Sequence, residues 1–354
     1  VRHNARVAVE RSGCDLIAIV KANGYGLGAV PIAKALADTA KMFGVACISE
    51  AAALRSAGIE HPILLLGACL PADRAKVIEH DLIPCLSSLD EAMAWNELVS
   101  KKKIPSLTVH LVVDTGMGRL GIPERDLTPE LVHKLKSLRH LHFEAISSHF
   151  PSADYDRAFT KRQIKHFAKI KLLAAENGLC FEHSHLGNSA GILGYPKLRA
   201  VSDLVRPGLL LYGVSPFPKL QPLLKPVLAW KTHITLIREL PRGHGISYGS
   251  TFVIRRKKTR VATLAVGYGD GYSRALSGQG TDVLIRGKRC PLLGRVTMDQ
   301  IMVDVSAVKD AAIGDTAVLV GRQGDEEITV WELARKADMI PWEVLTRLTA
   351  RVEH

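Results

Sequence analysis

Short apolar runs alternate with amphipathic stretches eight times between Leu16 and Gly213, and this alternation limits the folds open to the chain. The runs are LIAIV (16–20), FGVACI (43–48), PILLLG (62–67), IPCLSS (83–88), LTVHLVVD (107–114), FEAISSH (143–149), FEHSHL (181–186) and LVRPGLLLYG (204–213). Near-continuous apolar runs of this length suit strands covered on both faces, as in a parallel sheet. Segments such as SEAAALRSAG, PADRAKVIEH, SLDEAMAWNELVS and DYDRAFTKRQIKHFAKIKLLAAENG carry helical spacing between them. Eight βα units in succession predict a (β/α)8 barrel. A doubly wound sheet is the alternative, but it would place a glycine-rich fingerprint after the first strand. Here VKANGYG has Lys21 where such a fingerprint has its first glycine.

The pattern changes after residue 214. A proline-rich stretch over 215–226 reads as a linker, and β-branched runs with turns follow, among them AWKTHITLIREL, TRVATLAVGYGDG and DQIMVDVS. Only TVWELARKADM and PWEVLTRLTARV look helical in this part. The expected division is a barrel over 1–225 and a mainly β domain over 226–354.

Composition removes several other classes. No apolar run reaches the ~18 residues needed to cross a bilayer, so no membrane partner is expected. The net charge of +12 is spread along the chain, and its densest clusters, KKK at 101–103 and RRKK at 255–258, lack interleaved aromatics. Nucleic acid is therefore not expected, whereas a small anionic ligand would benefit from such a field. Six cysteines are scattered without a C-x-x-C pair, which suits reduced thiols and a cytoplasmic protein.

Catalytic groups of a (β/α)8 barrel come from the C-terminal ends of its strands. Those ends carry Lys21, Asp114 with TGMGR leading to Arg119, His149, His185 and Arg206. After the seventh run, GNSAGIL places Asn188 and Ser189 at a helix start, where free N–H groups favour a phosphate. Gly208 in RPGLLLYG allows close backbone approach on the neighbouring strand end. A lysine opposite a phosphate grip points to pyridoxal 5'-phosphate, which needs an amine for its aldehyde and an anchor for its phosphate.

VKANGYG, DTGMGRLG, HFPSAD, HLGNSAG, RPGLLLYG, ISYGSTF, VGYGDGY and GRVTMDQIMVDV together resemble, in order and along essentially the whole chain, the motif set of alanine racemase. The resemblance implies a homodimer of cytoplasmic subunits that interconverts L- and D-alanine and supplies D-alanine for peptidoglycan. It implies that Lys21 holds the cofactor covalently and then serves as one catalytic base. Tyr25, Ser189, Gly208 and Leu209 would hold the phosphate, with Asn188 supporting the turn. Arg206 would hydrogen-bond the pyridine nitrogen. An arginine does not readily release its proton, so that nitrogen stays largely unprotonated and side reactions are discouraged. Tyr248 would be the second base, its phenolate favoured by cationic neighbours, His149 and Arg206. Arg119 and the backbone N–H of Met298 would take the substrate carboxylate, and Tyr268 would narrow the entrance. Tyr248 and Met298 would reach the other subunit's active site. No metal ligand is expected. The family's usual N-terminal strand and part of a helix would precede Arg2.

The chain departs from this pattern at one position. Many relatives carry a carbamylated lysine two residues ahead of the aspartate of DTGMGR, and here Val112 stands in its place. Valine forms no carbamate and accepts no hydrogen bond, so Arg119 must find another partner. The rival readings are a serine or broader-specificity racemase, an amino-acid decarboxylase of related fold, and a non-catalytic pyridoxal-phosphate carrier. RPGLLLYG and ISYGSTF speak against the decarboxylase, and Tyr248 with Met298 against the carrier.

Overall fold

The computed structural model describes residues 1–196 and 198–353. It contains two compact units: Val1–Gly24 with Gly28–Lys225, and Tyr25–Leu27 with the chain from Pro226 onward.

In the first unit eight parallel strands close on themselves. They are β1 (Asp15–Ile19), β2 (Ala40–Val45), β3 (Ile63–Leu65), β4 (Leu82–Leu86), β5 (Leu107–Asp114), β6 (Leu141–Ser147), β7 (His183–His185) and β8 (Leu204–Val205). Each pairs in parallel with its neighbour in sequence, and β1 pairs with β8, so the ring is complete. Leu16, Ile17, Phe43, Leu64, Val109 and Leu111 are fully buried, as strands covered on both faces require. The Tyr212 hydroxyl donates to the Ile19 carbonyl at 2.9 Å and ties β1 to the segment after β8. Helices follow the strands, including α1 (Arg2–Ser12) ahead of the barrel and α2 (Ala29–Leu36), α3 (Ile48–Ser56), α4 (Arg74–Glu79), α5 (Leu89–Lys101), α6 (Pro129–Lys136), α7 (Arg157–Glu176) and α8 (Ser189–Gly194). Four of them, α5 to α8, start with a side-chain cap. Ser88 accepts from the Glu91 N–H at 3.1 Å, and Asp156 accepts from the Phe159 N–H at 2.9 Å.

Only the fifth strand keeps the limits of the sequence reading, and three of the other shifts matter most. The second strand ends at Val45, because the apolar Ala46–Ile48 segment turns into α3 instead of continuing. The sixth runs over Leu141–Ser147, so His149 lies beyond its end. The eighth is only Leu204–Val205, after which Leu209–Tyr212 forms a 3-10 turn. Pro207 has no N–H for a ladder, which stops the strand there.

The second unit is an antiparallel sheet of β9 (Trp230–Pro241), β10 (Lys258–Leu264), β11 (Asp282–Ile285), β12 (Lys288–Leu293), β13 (Ile301–Asp304), β14 (Thr316–Gln323) and β15 (Glu326–Ile328). Their order is β9-β10-β13-β12-β11-β14-β15, and the long β9 also pairs with β14, curling the sheet closed. A core of Leu240, Ile246, Ile254, Val261 and Leu293 packs beneath one part of it. Helices α9 (Val330–Lys336) and α10 (Pro341–Thr346) complete the unit.

Candidate active site

Lys21 follows β1 after Val20 and opens a left-handed turn: Ala22, Asn23, Gly24 and Tyr25 have φ of 51, 50, 62 and 54°. An L-residue held there costs roughly 1–2 kcal/mol, so successive ones persist only when neighbours fix them. Glu50 is one such neighbour. Its Oε1 accepts the Ala22 N–H and its Oε2 the Ala46 N–H at 2.8 Å. Asn23 adds a second tie, its Oδ1 accepting the Ala29 N–H at 3.1 Å. At Gly24 a Cβ would meet the Ala29 nitrogen at 3.0 Å, so close approach as well as positive φ favours glycine. Burial first, then Arg119, pulls the Lys21 amine below its usual pKa, with Glu50 acting the other way. A lysine so depressed is a better nucleophile and base at neutral pH.

Asp114 at the end of β5 organises the loop that carries Arg119. Its carboxylate accepts from the Gly116 and Met117 N–H groups at 2.8 and 2.7 Å and from Gly118 at 2.9 Å. Arg119 itself is exposed, and among the described residues no hydrogen bond or ion pair reaches it. Val112 sits close to Gly121, where an added Cβ would come within 3.0 Å of its Cγ1.

His149 is pinned through the backbone. Three successive carbonyls beyond β6 are each taken by a side chain: Ser148 by Arg206 Nη2, His149 by Gln163 Nε2 at 3.1 Å, and Phe150 by Asn188 Nδ2 at 3.0 Å. Burial, then Arg206, Arg119 and Lys21, pushes the imidazole down to about 3. The expectation of a cationic His149 beside Tyr248 is thus corrected. Three nearby cations and a dry setting keep the ring neutral, and of that pair Arg206 alone carries charge.

Arg206 is buried, and every group it bonds is neutral. Its Nη1 donates to the His185 carbonyl at 2.6 Å and to His185 Nδ1, and its Nη2 to the Ser148 carbonyl, with His149 Nδ1 at 3.4 Å. Burial lowers it to about 10, which still leaves the guanidinium charged at neutral pH.

The residues expected to grip a phosphate come together in two adjoining turns. Asn188 caps α8, accepting from the Gly191 N–H at 2.9 Å. The Ser189 hydroxyl accepts the Gly208 and Leu210 N–H groups, both at 3.1 Å, and so joins the two turns. Leu209 begins the 3-10 turn after Gly208.

Lys21, Arg119, His149 and Arg206 are therefore brought within electrostatic reach of one another, and Asn188, Ser189, Gly208 and Leu209 form a cradle in the same unit. Tyr25, Tyr248 and Met298 belong to the second unit. Burial pushes the Tyr25 phenol up to about 12, so it is a neutral hydroxyl at neutral pH. Tyr248 and Met298 are 72% and 53% exposed. The Tyr248 loop is bent through Ser247, Gly249 and Ser250, with φ of 63, 72 and 46°, and Ser247 Oγ donates to the Arg295 carbonyl at 2.7 Å. Gly267 and Gly269 lie against the Thr297–Met298 backbone, where a Cβ on Gly267 would meet the Met298 oxygen at 2.2 Å. This contact explains the glycines around Tyr268.

Sequence reasoning missed Glu50, Gln163, His110 and Glu144. Glu50 left a signal, since a carboxylate three residues into a helix commonly reaches back to the first amides. The other three lie inside elements, where a polar residue reads as an outward-facing position.

Comparison with known proteins identifies the architecture. A family model for the alanine racemase N-terminal domain matches residues 1–216, and one for the alanine racemase C-terminal domain matches 227–354. The alanine racemase of Halothermothrix orenii is 41% identical over 345 residues, covering 96% of this chain and 89% of that protein. That of Methylacidiphilum infernorum is 41% identical over 355 residues, with 99% and 89% covered. The solved structure of the Streptomyces coelicolor alanine racemase superposes with a TM-score of 0.91 at 32% identity, covering 99% of this chain and 94% of that one. Matched by both domain models and by relatives along nearly its whole length, the chain belongs to the alanine racemase family and is an amino-acid racemase.

Proposed function

We propose that this racemase works on alanine with pyridoxal 5'-phosphate and two opposed bases, Lys21 and Tyr248. The observation that carries the reading is the lysine at the end of β1, its pKa lowered by burial and by Arg119, in the same unit as the Ser189–Gly208 cradle. These residues fit the cofactor: an amine for its aldehyde, two turns joined by the Ser189 hydroxyl for its phosphate, and the Arg206 guanidinium for its ring nitrogen. Lys21 would hold it, Tyr25, Asn188, Ser189, Gly208 and Leu209 would bind its phosphate, and His149 would line its ring. When bound, the cofactor supplies an electron-accepting ring that lets the Cα proton of alanine leave.

The chain's own groups do the rest. Arg119 and the Met298 N–H orient the substrate carboxylate. Lys21, neutral more easily than an ordinary lysine, takes or returns the proton on one face of Cα. Tyr248 does so on the other face, from a second copy of the chain; its exposure here, and that of Met298, supports a homodimer with shared sites. Arg206 keeps its own proton and donates to the ring nitrogen. Small amino acids are the partners, with neither nucleic acid nor membrane, and D-alanine for peptidoglycan is the product put to use. All six cysteines are free thiols, which supports a reducing, cytoplasmic setting.

Exchange of the alanine α-proton into deuterated water tests this reading. Both enantiomers exchange with the parent protein. Lys21→Ala removes the visible absorption of bound cofactor and exchange of both enantiomers, while Tyr248→Phe spares exchange of D-alanine more than of L-alanine. Loss of a positioned proton-transfer group costs on the order of 10²–10⁴-fold. Normal turnover in Lys21→Ala would refute the assignment.

A further inference from the structure

Behind Arg206 a line of side chains runs through the barrel interior, where hydrophobic layers are the rule. His185 Nε2 meets His110 Nδ1 at 2.9 Å, and His110 Nε2 meets Glu144 Oε2 at 2.8 Å. The two rings are 0 and 1% exposed, and Glu144 lies half-buried on β6.

We infer that Glu144 is a positioning residue for Arg206, acting through His110 and His185 as the one end of this line that must accept a proton. The reason lies in donor counting. A guanidinium has donors only, so the His185 nitrogen facing Arg206 carries no hydrogen. The neutral His185 ring therefore bears its proton on Nε2 and donates to His110 Nδ1. His110 in turn bears its proton on Nε2, and that proton needs an acceptor, which is the Glu144 carboxylate. Reversing any one bond would leave two donors or two acceptors face to face. Arg206, otherwise surrounded by neutral acceptors, thereby gains a distant counter-charge whose orientation is passed along two fixed tautomers.

The electrostatics agree with the geometry. Burial first holds both imidazoles below their usual pKa, and the bond from His110 holds the Glu144 carboxyl below its own. Of the other titratable groups around the line, His183 is engaged with Lys41 at 2.9 Å and His142 with Glu182 at 3.0 Å, and the Cys85 thiol across from His110 is pushed up to about 12 by burial and stays neutral. The inference rests on the reading above only for what Arg206 faces; the tautomers do not depend on it.

Long-range 1H–15N correlation spectra of protein labelled at histidine nitrogens read those tautomers directly, with the cofactor-loaded protein as purified. Both His110 and His185 should be Nε2–H tautomers and neutral at pH 7. A different tautomer, or a protonated ring, at either position overturns the inference without any variant. Glu144→Gln, which keeps an acceptor oxygen of the same shape, should keep both tautomers and lose kcat only severalfold. Glu144→Met, which offers no acceptor, should leave His110 without a single tautomer and lower kcat about tenfold or more, with KM nearly constant. A Glu144→Met protein with parental tautomers and kcat, or a Glu144→Gln protein as disturbed as Glu144→Met, would refute it. Should Glu144→Met not fold, the parent and Glu144→Gln spectra decide. Loss of racemase activity alone cannot mimic these signatures.

Discussion

Val112 shows how one side chain changes what its neighbours need. A carbamylated lysine at this position would place a carboxylate-like group beside Arg119, and valine places its Cγ1 methyl close to Gly121. Arg119 remains exposed, so water meets its donors and the several-kcal/mol cost of a buried, unpaired guanidinium is avoided. Its aim is then set by the Asp114-pinned loop and not by a direct partner. A less restrained Arg119 should grip the substrate carboxylate more weakly, which appears as a raised KM with kcat little changed. Introducing Val112→Lys should lower KM in the presence of bicarbonate, whereas the parent should be indifferent to bicarbonate at fixed pH and ionic strength. Parental activity that rises with bicarbonate would overturn this account.

At the scale of elements, the turn after β1 converts a strand end into a site. Its left-handed residues hold because Glu50, reaching back from the start of α3, joins the Ala22 amide of the turn to the Ala46 amide after β2. Glu50→Leu removes both acceptors; Ala22 and Ala46 are exposed, so water meets the freed amides and each lost bond costs about 0.5–1.5 kcal/mol. The expected outcome is a destabilisation of about 2 kcal/mol in denaturant titrations and a tenfold or greater loss of kcat. Glu50→Gln should lie between this variant and the parent. Unchanged stability in Glu50→Leu would show that the turn is held by other contacts. This turn also marks how far the sequence could be read. Apolar runs fixed the number and order of the barrel strands, because a parallel barrel buries both faces of each. Polar residues at strand ends then exposed Lys21, Arg119, His149 and Arg206. Positive φ at Ala22 left no trace, since alanine does not signal it, whereas Asn23 ahead of Gly24 is a residue type that does. His110 and Glu144 were hidden for a related reason: within HLVVD and FEAIS each polar residue fits ordinary strand alternation, and only the closed ring turns them toward each other. RPGLLLYG misled in the opposite way, its leucines extending an apolar run past the proline that ends the strand.

At the scale of the whole molecule, the two proposed bases lie far apart in sequence, on different units, and Tyr248 is 72% exposed. On the reading proposed above, a side chain that transfers a proton in a water-poor site is not left so exposed, and a second copy covers it. A symmetric dimer supplies that cover twice, with each copy giving its Lys21 to one site and its Tyr248 to the other. The arrangement has a consequence that neither variant shows alone. Lys21→Ala and Tyr248→Phe homodimers each lack one base in both sites. A mixed dimer contains one site with both lesions and one with neither. Random exchange makes half the dimers mixed, so about a quarter of the sites are restored. Mixing the two inactive proteins, with exchange followed by differently sized tags, should therefore raise activity toward that fraction of the parent's. Activity that stays at the level of the separate variants while mixed dimers form would place both bases of each site on one chain. It would also leave the exposure of Tyr248 to be explained by a rearrangement within the subunit.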